Sequence, residues 1–252
     1  MNNSKSQVLN VTDVAAVLGH AVVRNGATGP DGVKDESNWI GGFPGESQFY
    51  FDHIKAGVEF AAGHPGTCLM FSGGQTRVAA GPRSEAESYW EVARDHDWFG
   101  HPTVANTSLK EEFARDSLEN LAFCLALFHQ RTGSWPNSLT VIGWRFKQPR
   151  FELHRTALKW PPSRFKYLGV NDPPSDALPA AEAGEQAKLQ SVKSDLFLAG
   201  RQWASQREMR DPFGRSHPYG GVDAGLDALI SLMSGNSLRS RFGWIGTPVE
   251  RH

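Results

Sequence analysis

Apolar residues in this chain fall into two alternating patterns. Short, nearly unbroken apolar runs occur at DVAAVLGHAVV (13–23), TCLMFSGG (67–74), SLTVIGW (138–144) and FKYLGV (165–170), with a weaker one at HPTVANT (101–107). Between them, apolar residues recur at helical spacing in FYFDHIKAGVEFAAGH (49–64), SEAESYWEVARDH (84–96), ARDSLENLAFCLALFHQRTG (114–133) and KQPRFELHRTALKW (147–160). Strands that alternate with helices of this length predict parallel pairing through right-handed crossovers. Continuous apolar strands predict a sheet covered on both faces. Residues 8–172 therefore read as an α/β, Rossmann-like three-layer sandwich with a mostly parallel sheet. The pattern leaves the strand order open.

After Asn171 the alternation stops. DPPSDALPAAEAGEQ (172–186) reads as a surface linker, 184–208 as a helix, REMRDPFGRSHPYGG (207–221) as a loop and GLDALISLMSG (225–235) as a short helix. Residues 173–252 are thus expected to form a mainly helical and loop C-terminal extension packed on the sandwich.

Composition narrows the class. The 252 residues are 39% hydrophobic and include eight tryptophans and fifteen phenylalanines, enough for a large core. The net charge of -1 gives no electrostatic reason to expect nucleic acid or an anionic membrane as partner. Cys68 and Cys124 both sit in apolar runs and read as small core residues, not as a disulfide or zinc site. No run approaches the roughly 18 apolar residues of a membrane span, and MNNSKSQVLN lacks the apolar segment of a leader. The expectation is a soluble, cytoplasmic protein whose partner is a small molecule.

Candidate chemistry collects where strands end. In an open parallel sheet, ligands bind beyond the carboxyl ends of the strands. The first run ends in Gly19-His20, and the second in SGGQTR, which places Ser72, Gly73, Gly74, Thr76 and Arg77 on that edge. Two glycines allow close backbone approach, and successive N–H groups can cradle an anion; a tight turn is the plainer account. In SEAES, Ser84 and Glu87 form a capping box. That leaves Glu85 one turn before Ser88, a carboxylate placed to act as a base or to hold a hydroxyl. EEFARDSLEN repeats the arrangement with Asp116 and Glu119, flanked by Arg115 and Asn120 and preceded by Glu111 and Glu112. These acids fit no strict metal-ligand spacing. Lys147 and Arg150 stand three apart where the fourth helix begins, opposing its dipole by roughly 0.3 to 1 kcal/mol each. A bound anion there would offset that cost.

The combination of FSGGQTR, GPRSEAESY, EEFARDSLENLAF and FKQPRF, in this order, resembles the YdcF-like, SanA-like and ElyC-like family, a domain of unknown function, and in spelling its eukaryotic branch. DPFGRSHPY (211–219) resembles that branch's C-terminal extension. The resemblance covers roughly residues 13–170. It implies a Rossmann-like sandwich with a pocket at the strand ends. It also implies S-adenosylmethionine as a possible ligand, since a bacterial member is associated with binding it. By motif match the pocket set is Gly19, His20, Ser72, Gly73, Gly74, Thr76, Arg77, Ser84, Glu85, Ser88, Glu111, Arg115, Asp116, Glu119, Asn120, Lys147 and Arg150. Bacterial members carry a histidine where this chain has Lys147.

The functional expectation is a small-molecule enzyme with an anion-binding pocket, acting by acid/base catalysis (hydrolysis, group transfer, or elimination or cyclisation) on an anionic or nucleotide-like substrate. Glu85 and His20 would move protons, Asn120 and Ser72 would orient, and Lys147, Arg150, Arg77 and the SGG amides would hold the anion. The alternative is a regulatory module that binds S-adenosylmethionine or a nucleotide without chemistry. A third reading takes Trp39, Trp98, Trp135 and the 207–221 loop as a protein-docking surface.

Overall fold

The computed structural model describes residues 9–234. Residues 1–8 and 235–252, including the ends of both expected units, lie outside the described residues. Strand β1 (Asp13–Leu18) is buried along nearly its whole length, as its unbroken apolar run requires. The run does not continue as one strand. It breaks at Gly19-His20, and Val22–Val23 (β2) pairs antiparallel with Trp39–Ile40 (β3) in a separate ribbon. Helix α1 (Ser47–Gly63) leads to β4 (Thr67–Ser72), and α2 (Glu85–Asp95) follows.

The expected strand at 101–107 is instead a 3-10 segment, Pro102–Thr107, and the strand β5 is Ser108–Glu111. Only Leu109 in β5 is apolar, and the one buried residue is Glu111, so this edge strand left little apolar signal. Helix α3 (Ser117–Thr132) ends at Gly133, which takes the left-handed conformation at φ 75. Strand β6 (Leu139–Gly143), helix α4 (Gln148–Ala157) and strand β7 (Phe165–Gly169) complete the sandwich.

The sheet order is β5-β4-β1-β6-β7, with every pair parallel. The chain starts in the middle of the sheet, adds β4 and β5 on one side, then crosses to the far side of β1. The order reverses between β1 and β6, which opens a crevice at their carboxyl ends. Side chains alternate between two cores. Val14, Ala16 and Leu18 pack with Cys68, Met70 and α3, whereas Ala15 and Val17 pack with Leu69, Phe71, α1 and α2. Both cysteines are free and buried.

The extension differs from its expected outline. Helix α5 (Leu178–Ser194) begins inside the expected linker, and the single helix expected over 184–208 is two, since α6 spans Arg201–Met209. Asp195 caps the break, accepting from the Ala199 and Gly200 amides at 3.0 and 2.7 Å. Helix α7 (Ala224–Met233) follows the 210–223 loop. Leu198, Trp203, Tyr219, Leu226 and Leu229 join the α3/α4 core, so the extension shares the sandwich's apolar interior. Trp39 and Trp98 are buried, which removes them as a docking surface, whereas Trp135 is half-buried and packs on His129 at 4.6 Å between ring centres.

Candidate functional site

The row Leu18, Ser72, Glu111 runs across β1, β4 and β5 in register at their carboxyl ends. Beyond it the backbone ladder continues by one residue. The Gly19 N–H donates to the Ser72 carbonyl at 2.8 Å, and the Gly73 N–H to the Glu111 carbonyl at 3.0 Å. The Gly74 N–H donates to the Ala114 carbonyl at 2.8 Å. The glycine amides are therefore occupied, and the expected anion cradle of Gly73 and Gly74 is corrected. Their carbonyls in turn accept the first amides of α2, from Ala86 and Glu85, both at 3.1 Å.

The glycines serve another purpose. A Cβ on Gly19 would stand 2.6 Å from Glu85 Oε2, and one on Gly73 2.5 Å from the same oxygen. The Glu85 carboxyl is thus sandwiched between two strand ends that only glycine permits. Gly73 also has φ 153, which other residues rarely adopt.

A cavity of about 370 Å³ opens over this edge. Of the expected residues, it brings together Gly19, His20, Thr76, Arg77, Glu85, Arg115, Asp116, Asn120, Lys147 and Arg150. Ser72, Gly73, Gly74, Ser84, Ser88, Glu111 and Glu119 do not line it. Ser84 caps α2 by accepting from the Glu87 amide at 2.8 Å and donates to Glu112 at 2.8 Å. Ser88 donates to the Glu85 carbonyl within its own helix. Glu119 is held by the Arg115 guanidinium at 2.7 Å. Asp116 caps α3 at 2.9 Å from the Leu118 and Glu119 amides and pairs with Arg207 at 2.8 Å. Asp116 and Glu119 thus face arginines, and among the described residues no cluster of three metal-ligating side chains exists.

Protonation at the cavity follows from burial. Burial raises the Glu85 pKa against the pull of the Thr76 hydroxyl, which donates at 2.5 Å, and of the Arg77, Arg210 and Lys147 charges. Lost hydration, with Lys147 next, takes His20 well below the usual histidine range, so its ring is neutral. His20 Nε2 is buried without a partner. Its ring lies 5.4 Å from Tyr50 and 5.9 Å from His53. His53 sits behind it, bonded to Asn171 at 2.7 Å and outside the cavity. Beneath Asn120, the Ser72 hydroxyl lies 2.8 Å from Asn120 Oδ1 and 2.7 Å from Glu111 Oε2. One hydroxyl donates once. Glu111, raised by burial to about 7, supplies the second proton when protonated.

Positive charge surrounds these groups, through two of the expected side chains, Arg77 and Lys147, and two others. Arg150 is buried and held by both Glu185 oxygens, at 2.5 and 3.1 Å, so its expected role as a free anion clamp is corrected. Lys147 has no hydrogen-bonded or ion-paired partner, and lost hydration with the neighbouring Arg150 lowers its pKa to about 7. The residue is half-buried and lines the cavity. Lys188 and Arg210, from the extension, also line the cavity. With Arg77 and Lys147 they make four basic side chains that form no ion pair among the described residues. The Arg77 Nε is also buried without a partner. Lys188 and Arg210 carry no motif, and only their distance from the strand ends along the chain concealed them.

The comparisons with known proteins place the chain beside one yeast relative. It is 26% identical over 197 residues to "Uncharacterized protein YOR238W" of Saccharomyces cerevisiae, covering 60% of this chain. The chain spans 64% of that relative's length. No family model matches the chain, and no solved structure does. Among the described residues, no helix is long and apolar enough to cross a membrane.

Proposed function

We propose that this protein is a small-molecule enzyme that binds an anionic substrate at the sheet edge and acts on it by acid/base catalysis. The observation that carries this reading is one cavity walled by Arg77, Lys147, Lys188 and Arg210 without ion-pair partners, with the Glu85 carboxyl at its floor. Cations confined together repel one another, and an anion relieves that cost while gaining charge-assisted hydrogen bonds. Glu85, whose pKa burial raises, suits proton transfer to or from the guest. Neutral His20, which lines the cavity, suits a base. Asn120, held from below by Ser72, orients the guest.

The motif resemblance to the YdcF-like, SanA-like and ElyC-like family supports a ligand pocket at this edge. Charge weighs against its S-adenosylmethionine association here. That molecule is net positive through its sulfonium, and the cavity's surplus is of the same sign. A nucleotide or other phosphorylated guest fits better, whether or not chemistry follows.

The test is untargeted mass spectrometry of a small-molecule extract incubated with the protein. Wild type is expected to deplete at least one anionic species, and Glu85→Gln to bind that species within about tenfold of wild type without depleting it. Equal depletion by the variant removes Glu85 from the chemistry. A species bound by wild type and never consumed leaves the non-catalytic binding module.

A further inference from the structure

Phe43 is 75% exposed and lines the mouth of the cavity. Among the described residues, no other large exposed apolar side chain does so. The loop that carries it is built to hold it there. Gly41, Gly42 and Gly45 have φ of 89, 78 and 81. A Cβ on Gly41 would stand 2.5 Å from Arg77 Nε, and one on Gly42 2.4 Å from the Tyr50 hydroxyl. Glycine alone lets the loop lie across these two side chains. The Phe43 amide donates to the Tyr50 hydroxyl at 3.4 Å. An aromatic ring thus stands in water beside the basic side chains, where it packs in no core.

The geometry points to a guest with two parts: phosphate groups held by Arg77, Lys147, Lys188 and Arg210, and a planar ring stacked on Phe43. The class is a nucleoside diphosphate or a similarly phosphorylated aromatic compound, and this rests on the anionic-substrate reading above. Four basic side chains without ion-pair partners exceed what a single carboxylate would balance, whereas phosphates offer several charges and several acceptors, and their charge favours protonated Lys147. A ring at the mouth accepts the face of a base without reading its edges. The cavity's volume lies in the range of small-molecule sites.

Isothermal titration calorimetry of the full chain with ADP, pyrophosphate and adenosine tests this. ADP is expected to bind about tenfold more tightly than pyrophosphate, and adenosine more weakly than either. Phe43→Ala should cost about tenfold for ADP while leaving pyrophosphate within about twofold, and Phe43→Trp should restore ADP affinity. Unchanged ADP affinity in Phe43→Ala, or ADP binding no tighter than pyrophosphate, overturns the ring assignment alone. Adenosine as tight as ADP overturns the phosphate assignment. If neither ADP nor pyrophosphate binds, the anionic-substrate reading falls with it.

Discussion

Glu85 shows how much a single carboxyl asks of its surroundings. Gly19 and Gly73 give up their side chains to make room for it, and Thr76 donates to it. The two glycines in SGG were legible as a functional edge, but their purpose was not: Gly73 makes room for a carboxyl on another element, and Gly74 for the Phe113–Ala114 backbone. Glu111 lends itself to a separate test. Its folded pKa of about 7 stands above the ordinary 4.5, so the native state binds the proton more tightly than the unfolded chain. The associated stability is fully present below about pH 4.5 and is lost as pH rises through about 7, a change of about 3 kcal/mol. Denaturant midpoints measured from pH 4 to 8 should show this fall in wild type and lose that component in Glu111→Gln. Parallel pH profiles would remove the raised pKa.

At the scale of elements, the sequence signals worked where chemistry was local. Ser84 and Asp116 cap α2 and α3 as their spacing predicts, and Gly133 ends α3. The shift of the third main-sheet strand from 101–107 to Ser108–Glu111 came from an edge strand with little to bury. Helix α1 carries a case where propensity misleads. Gly57 lies mid-helix, and alanine there would gain up to about 1 kcal/mol by propensity alone. Its Cβ would stand 2.2 Å from Val17 Cγ2, in the buried middle of β1. Valine is stiff at this position, so Gly57→Ala is expected to destabilise by about 1 to 3 kcal/mol. A melting temperature at or above wild type would show that α1 and β1 have slack between them.

For the whole molecule, the extension completes the site. It supplies Lys188 and Arg210 to the cavity, Glu185 to Arg150, Arg207 to Asp116, and Tyr219, whose hydroxyl donates to Glu111 at 3.1 Å. The REMRDPFGRSHPYGG loop, readable as a docking surface, instead clamps the β5–α3 connection. Arg210 and Arg215 donate to the Arg115 and Glu112 carbonyls at 3.0 and 2.9 Å. Breaking one such tie strands a buried charge. Glu185→Gln should lower the unfolding free energy by about 3 kcal/mol, and Glu185→Leu with Arg150→Met should recover most of it. Equal losses in the single and double variants, read from denaturant curves, would show that the pair is not the tie.

The sequence by itself determined the alternation of strands and helices, the parallel class of the sheet and the edge on which polar residues gather. Those follow from periodicity and capping, which act between near neighbours in the chain. The tertiary structure alone decided the strand order, the pairing that removes Arg150 from the cation set, and the arrival of Lys188 and Arg210 beside Lys147. Ion pairing and desolvation depend on distance in space, and residues 35 to 63 positions apart bring no periodic signature to their meeting.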